Sequence, residues 1–256
     1  MAADSLGLGD TSTRLRSVTH SLGLIVAAFV VGIVLANLGV VAVAATGMTF
    51  ESLTDLPPAV TAGLQGLQFV GFILVGLWYL RWRDDAGDLF DVDLPSLSDL
   101  GWATLGLVVT FGVLYAVSLA ISLLGIESAS NAAILIGQEQ PEFLLYLIGV
   151  TILLTAPAEE LIFRGLVQGL FRRAYGVVPG LVIASALFGV VHFLALGGGG
   201  SKTVYIVTAG ALGLVLGALY EKTQNLVVPM LVHGAFNAIQ FYLAYLIATG
   251  QIQVPS

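Results

Sequence analysis

The amino-acid sequence predicts an all-α fold, a polytopic transmembrane helical bundle with about seven spans. Of its 256 residues, 57% are hydrophobic and only 10% are charged, whereas a soluble globular domain carries roughly 25% charged residues. The mean hydropathy is +0.98. The few charges are also grouped, so that long uncharged runs separate them. The chain therefore has too little polar surface to face water on all sides.

Each uncharged run is a candidate membrane span. A helix needs about 20 apolar residues to cross a hydrocarbon layer ~30 Å thick, and six of the seven runs meet or approach that length. The runs lack the alternation of barrel strands, and backbone polar groups cannot be left open in lipid, so helices are the consistent choice. In chain order the runs are Ser21–Phe50, Leu56–Leu80, Gly101–Ile126, Phe143–Ala158, Ala174–Ser201, Thr203–Tyr220 and Thr223–Ser256.

The first run is expected to be a retained helix. Its apolar stretch, Leu22–Ala45, is longer than the roughly 7–15 residues of a signal peptide. The runs then divide the chain into an N-terminal segment at 1–20, three helices with their loops at 21–142, a membrane core at 143–249 and a tail at 250–256.

The Lys and Arg residues predict the orientation, because they accumulate in cytoplasmic loops. The first and third loops between spans hold none, and the fifth holds only Lys202. The other side of the bundle receives Arg14, Arg16, Arg81, Arg83, Arg172, Arg173 and Lys222. We expect a multi-pass protein of the cell membrane whose N-terminal segment is cytoplasmic.

Net charge and cysteine content exclude several function classes. The net charge of −7 argues against nucleic acid as a partner. The chain has no cysteine, so disulfides, thiolate nucleophiles and cysteine metal sites do not arise.

Ionisable residues inside apolar spans are expensive and mark function by default. The fourth run ends early, because the helix must continue into Glu159 and Glu160 before it has crossed the membrane. Two of the three histidines, His192 and His233, also lie within long uncharged runs, whereas His20 precedes the first run and is expected to be interfacial.

Helical spacing sorts these groups. Residues four apart share a helix face, so Glu160 can pair with Arg164, and Glu159 points about 100° away toward a different partner. By the same spacing Phe188 shares a face with His192.

On the last span, His233 and Asn237 share a face in the same way. A turn centred near Gly176 would bring Glu160 and His192 to one level of the bundle. His233 lies about nine residues beyond a turn near Gln224, so it reaches the same level only if that turn sits deeper by about 10 Å.

Carboxylates and imidazoles in an intramembrane pocket can activate water, and an Asn amide can donate to the oxyanion of a tetrahedral intermediate. The combination is typical of peptide hydrolysis without a protein nucleophile. Other intramembrane protease signatures are missing from the spans: Gly7-Leu8-Gly9-Asp10 matches GxGD but precedes the first run, there is no HExxH, and Gly199-Gly200-Ser201-Lys202 lacks the final Gly of GxSG. Each residue also has a structural alternative, as an ion pair at the membrane boundary, a packed histidine or an interhelical amide.

Three motifs follow one another on successive spans. Glu159-Glu160-Leu-Ile-Phe-Arg164 matches EExxxR, Phe188-Gly-Val-Val-His192 matches FxxxH, and His233-Gly-Ala-Phe-Asn237 matches HxxxN. In this order they resemble the CPBP family, the group of CAAX prenyl endopeptidases and bacteriocin-processing intramembrane proteases also called Abi.

The resemblance implies a role for each residue. Glu159 and His192 would activate water, His233 and Asn237 would serve oxyanion or metal binding, and Glu160 would pair with Arg164. Phe188 would be a supporting residue.

The resemblance also implies partners and a cofactor question. The expected partners are a peptide or protein substrate in or at the membrane and the lipid bilayer itself. The use of a divalent metal such as zinc stays open, and Glu159, His192 and His233 would be its ligands.

Two functions remain open at this point. The first is an intramembrane endopeptidase that acts on membrane-associated or lipidated polypeptides. The second is a non-proteolytic membrane protein, such as a binding or immunity protein, that uses the same pocket.

Overall fold

A computed structural model describes residues 10–253. Within these residues the chain folds into eight α-helices and two strands of two residues each. Seven of the helices are long and apolar enough to span a membrane, which confirms the predicted fold class. The helices are α1 (Thr11–Ala45), α2 (Pro58–Trp82), α3 (Leu97–Leu123), α4 (Ala132–Glu139), α5 (Pro141–Tyr175), α6 (Val177–Val191), α7 (Lys202–Thr223) and α8 (Val227–Ala248), and the strands are β1 (Ser130–Asn131) and β2 (Leu196–Gly197).

Helix α1 begins earlier in the chain than the uncharged run that predicts the first span. Helix α1 begins at Thr11, where the Asp10 side chain caps it by accepting a hydrogen bond from the Thr13 amide. The boundary predicted at residue 20 therefore falls inside α1, because a helix can carry charged residues before it enters the membrane. The segment 1–20 and the tail 250–256 both extend outside the described residues.

Helix α5 is continuous but changes its winding twice. Residues Thr151–Thr155 and Leu161–Gln168 form π-helical turns on either side of a short α-helical stretch, Ala156–Glu160. Pro157 within that stretch has no N–H to donate, and its ring would crowd the preceding turn of an ordinary α-helix. Widened turns of this kind relieve the crowding and occur frequently at functional sites.

Helices α1 and α2 pack against each other almost backbone to backbone. A Cβ atom added at Gly71 would lie 2.5 Å from the Gly32 Cα, so only glycine fits at this crossing. The pair then packs on α5 through buried side chains, among them Leu24, Phe72 and Phe163. This packing places α1 and α2 as one wall around the centre of α5.

The loops after α2, α5 and α7 meet at one end of the bundle. Asp85 binds Arg83 and Arg173 there, each at 2.7 Å, and the hydrogen bond from Arg83 lowers the pKa of the Asp85 carboxyl. Arg172 bridges to Glu221 at 3.3 Å. The basic residues that the sequence assigns to one side of the membrane are thus gathered at one end.

The opposite end carries an element that periodicity did not predict. Strand β1 pairs with β2 in antiparallel fashion, with Asn131 opposite Leu196. The Asn131 side chain also caps α4 by accepting from the Ala133 amide at 2.8 Å. Because β2 follows His192 closely, this pairing ties the loop before α4 to the end of α6.

Candidate active site

Three helices bring the predicted residues together. Glu159 and Glu160 lie in the middle of α5, His192 lies just after the end of α6, and His233 lies in the second turn of α8. His233 contacts both glutamates: its Nδ1 is 2.7 Å from Glu160 Oε1, and its Nε2 is 3.7 Å from Glu159 Oε2. His233 is therefore the partner of Glu159, which points away from Glu160.

Glu160 and Arg164 form the pair that their spacing predicted, with 3.0 Å between Nη1 and Oε1. Both side chains are buried, at 0% and 1% exposure. Arg164 also donates to the Gly213 carbonyl at 3.3 Å and lies over the Phe188 ring at 4.1 Å. Glu160 thus joins Arg164 on one side to His233 on the other, a link that spacing along one helix could not show.

Phe188 and His192, the two named residues of the FxxxH motif, are joined through the Phe188 backbone, whereas Glu160 and Arg164 are joined through their charged side chains. His192 Nδ1 lies 2.7 Å from the backbone carbonyl oxygen of Phe188. The Phe188 ring packs against His192 at 4.4 Å between centroids and meets His233 edge-on at 6.0 Å. Phe188 is therefore a packing centre for both histidines as well as for Arg164.

These contacts determine which ring nitrogen of each histidine carries the proton. A carbonyl oxygen can only accept, so Nδ1 of His192 must be the donor to Phe188. The ion-paired carboxylate of Glu160 likewise accepts from Nδ1 of His233. In their neutral forms both histidines consequently present the lone pair of Nε2, which can hold a water molecule or a metal ion.

Asn237 lies one turn beyond His233 on α8. Its Nδ2 donates to the Thr151 hydroxyl at 3.2 Å, from the first π-helical turn of α5. An amide NH₂ group has two hydrogens, so the second remains for another acceptor.

His233 does reach the level of Glu160, and the loop before α8 explains how. The turn at Gln224 does not lie opposite Gly176, because Gln224 accepts from Arg172, about one helical turn earlier, at 3.0 Å. The Leu226 amide then binds the Asp91 carbonyl and holds this turn inside the bundle. The π-helical turns of α5 also rise less per residue than an α-helix, which brings Glu160 level with His233.

A cavity of 340 Å³ lies where these side chains meet. Five of its polar lining residues are Glu159, His192, Tyr205, His233 and Asn237. A second cavity, of 390 Å³, shares Glu159 and His192 with it and continues between α1 and α2 over a mostly apolar lining. A third, of 120 Å³, lies on the α3 side of both histidines and does not include Glu159.

The donor set has the composition of a metal site but not its spacing. One carboxylate and two imidazoles are the ligand types of a catalytic zinc site. However, within residues 10–253 no three His, Asp or Glu side chains are grouped closely enough to hold an ion. Glu159, His192 and His233 are therefore not grouped as metal ligands within the described residues.

Tyr205 and Asn131 are among the polar residues of this cavity that sequence reasoning missed. Tyr205 lies in the first turn of α7, with its ring 6.4 Å from that of His192, and its hydroxyl accepts from Asn131 Nδ2 at 3.0 Å. A tyrosine on an apolar helix and an asparagine in a loop give no periodic signal.

The comparisons with known proteins agree with the motifs. The family described as "Type II CAAX prenyl endopeptidase Rce1-like" matches residues 141–239. The "Uncharacterized protein YpbD" of Bacillus subtilis (strain 168) is 38% identical over 87 residues, which cover 34% of this chain and 40% of that protein. The chain thus spans less than half the length of this relative. No solved structure matches the chain.

The matched region contains all three motifs and every predicted catalytic residue. It begins at the first residue of α5 and ends within α8, whereas the match does not extend to α1, α2 or α3. The resemblance predicted from the motifs is confirmed: residues 141–239 match the family of Rce1-like type II CAAX prenyl endopeptidases.

Proposed function

We propose that the protein is an intramembrane endopeptidase that hydrolyses peptide bonds of membrane-associated or lipidated polypeptides through water activated by Glu159 and the two histidines. The observation that carries this proposal is the placement of Glu159, with 15% of its side chain exposed, beside the Nε2 atom of His233 on a cavity wall. Family membership of this region supports the same chemistry.

The proposed reaction begins with a water molecule that donates hydrogen bonds to two acceptors of the site. One hydrogen of the water binds the Glu159 carboxylate and the other binds a histidine Nε2, which leaves an oxygen lone pair for the substrate carbonyl. As the water oxygen adds to the carbonyl carbon, Glu159 takes the proton and the carbonyl π electrons move to the oxygen. When the tetrahedral intermediate collapses, the C–N bond breaks and the leaving nitrogen receives that proton.

Glu160 is a positioning residue in this proposal. It holds Nδ1 of His233 at 2.7 Å and is itself held by Arg164. The Asn237 amide supplies a hydrogen bond to the oxyanion through its second hydrogen. His233, for which the resemblance also implied an oxyanion or metal role, holds the water in this proposal, because Nδ1 is bound to Glu160 and the neutral ring presents a lone pair at Nε2.

The cavity between α1 and α2 supports a substrate that resides at the membrane. It meets the site at Glu159 and His192 and is lined mainly by apolar side chains, among them Phe29, Val40 and Phe72. An apolar or lipidated segment would gain from burial there, while the scissile bond lies at Glu159.

The orientation is proposed from the gathered basic residues and can be tested directly, because the chain has no native cysteine. Gly87 and Gly199 lie at opposite ends of the bundle, and a Cβ atom at either meets nothing within 4 Å. A membrane-impermeant maleimide applied to intact cells is expected to label Gly199→Cys and to label Gly87→Cys only after permeabilisation. The reverse pattern would invert the proposed topology.

Both histidines are expected to be essential. His192→Ala and His233→Ala should each abolish cleavage of a membrane-anchored reporter peptide, and the double variant should lose little more, because residues that act as a unit are not additive. His20→Ala is the matched control, since His20 contacts Tyr79 and Arg83 at the basic end of the bundle. A single variant with near-normal turnover would reduce that histidine to a packing residue.

The same preparations test the metal question. Turnover is expected to persist after chelation, with less than one metal ion bound per chain, because the donors are not grouped as a metal site. Loss of activity on chelation and its return with zinc would instead make Glu159, His192 and His233 the ligands. Intact binding of a peptide that no preparation cleaves would favour a non-proteolytic binding protein.

A further inference from the structure

We propose that Tyr205 is a further catalytic residue, which donates its hydroxyl hydrogen to the oxyanion of the tetrahedral intermediate, and that Asn131 is the residue that positions it. This inference rests on the proposed peptidase function. It assigns a role to a residue outside the three motifs and links the loop before α4 to the chemistry.

The hydrogen bond between Asn131 and Tyr205 has a fixed direction. Asn131 Nδ2 donates to the Tyr205 hydroxyl oxygen at 3.0 Å, so the hydroxyl acts as an acceptor there and keeps its own hydrogen. Among the described residues Asn131 is the only hydrogen-bond partner of this hydroxyl. Tyr205 lines the cavity that holds Glu159 and both histidines, and its hydrogen is therefore available to a group bound in that cavity.

The cavity needs such a donor. With Nδ1 bound to Phe188 and Glu160 respectively, neutral His192 and His233 offer lone pairs rather than N–H groups to the cavity. A developing oxyanion needs donors, and neither histidine supplies one in this form. The Asn237 amide supplies one hydrogen, and the Tyr205 hydroxyl is a second donor that lines the same cavity.

Tyr205 is also firmly held. Asn131 accepts from the Ala133 amide through Oδ1 while it donates through Nδ2, so its side chain is fixed at both ends. The backbone of Asn131 pairs with that of Leu196, which follows His192 by four residues. A donor fixed before the reaction costs no reorganisation when charge develops.

The chemical step leaves the proton on tyrosine. Water adds to the carbonyl carbon, Glu159 accepts the water proton, and the carbonyl oxygen becomes an anion that accepts hydrogen bonds from Tyr205 and Asn237. Collapse re-forms the C=O bond and breaks the C–N bond, and the proton on Glu159 passes to the leaving nitrogen. Tyr205 ends the cycle as it began.

The test compares Tyr205→Phe with Tyr220→Phe, a buried tyrosine on the same helix whose hydroxyl has no hydrogen-bond partner among the described residues. Loss of one oxyanion donor typically lowers kcat by about 10²- to 10³-fold. Tyr205→Phe is expected to lower kcat for the reporter peptide by about 10²-fold, with KM and the midpoint of thermal unfolding unchanged. Tyr220→Phe is expected to leave kcat unchanged.

A second variant reverses the hydrogen bond. Asn131→Asp keeps the oxygen that caps α4, but a carboxylate can only accept, so the Tyr205 hydrogen would turn toward the new carboxylate and away from the substrate. This change is expected to lower kcat about as much as Tyr205→Phe, and the two changes together should lower it little further.

The outcomes separate this inference from the proposed function. If Glu159→Gln is inactive but Tyr205→Phe turns over like wild type, the tyrosine has only a structural role. The same conclusion follows if Tyr205→Phe changes only KM or the unfolding midpoint. If wild-type protein and Glu159→Gln are equally inactive on all reporter peptides, the peptidase proposal fails and the role of Tyr205 fails with it.

Discussion

Replacing Glu159 with glutamine is expected to abolish peptide cleavage while the protein still folds and inserts. The change keeps the size of the side chain and removes only its capacity to accept a proton. General-base catalysis contributes about 10²- to 10⁴-fold in rate, and we expect kcat to decrease by a factor of that size. Stability should hardly change, because Glu159 is partly exposed and its contact with His233 is long, at 3.7 Å.

The measurement is single-turnover cleavage of the reporter peptide by purified protein, together with thermal unfolding of the same sample. Glu142→Gln is the matched control, because Glu142 is an exposed residue in the first turn of the same helix. A Glu159→Gln protein that still cleaves would remove Glu159 as the base. In that case Glu160 or a metal-bound water would have to be reconsidered.

The spans were predictable because they depend on local composition. Uncharged runs located all seven membrane helices of the described chain, and the early end of the fourth run at Glu159 correctly indicated a helix that continues. Its π-helical turns were not predictable, although Pro157 marks their position. Winding depends on how a whole turn packs, which no single residue reports.

Contacts within one helix were also predictable, and contacts between helices were not. The Glu160–Arg164 pair followed from a spacing of four. The contact between Glu160 and His233 joins residues on α5 and α8, and its level depends on where the Gln224 turn packs. Helical rise alone left the level of His233 open by about 10 Å for that reason.

Residues of the site that come from loops left the weakest signal. Asn131 reaches the cavity through a two-residue strand pair and a cap, neither of which has a period. Gly213 illustrates the same limit on a helix: its carbonyl receives Arg164, and an added Cβ would lie 3.1 Å from the Phe188 ring. Its small size could be read from the sequence, but its partners could not.

The buried pair of Glu160 and Arg164 is expected to matter for stability and activity in separable ways. Both groups are almost completely inaccessible to solvent, and removal of one partner leaves an uncompensated buried charge. Such changes cost about 3–5 kcal/mol of folding free energy. We therefore expect Glu160→Gln and Arg164→Met each to lower the free energy of unfolding in mixed micelles by about that amount.

The double variant Glu160→Gln/Arg164→Met should recover most of the lost stability, because it leaves neither charge in the core, and replacement of a whole buried pair is often neutral. Cleavage should not recover with it. His233 would lose the carboxylate that fixes Nδ1 as its donor, so its Nε2 lone pair would no longer be held toward Glu159.

Equilibrium unfolding and peptide cleavage, measured on the four proteins of this cycle, test both expectations. A double variant whose loss of stability equals the sum of the two single losses would show that the two charges are not energetically coupled. A stable double variant that cleaves like wild type would show that His233 does not need Glu160. Recovered stability without recovered turnover would assign Glu160 two roles, one in holding Arg164 within the bundle and one in orienting the histidine that faces the water.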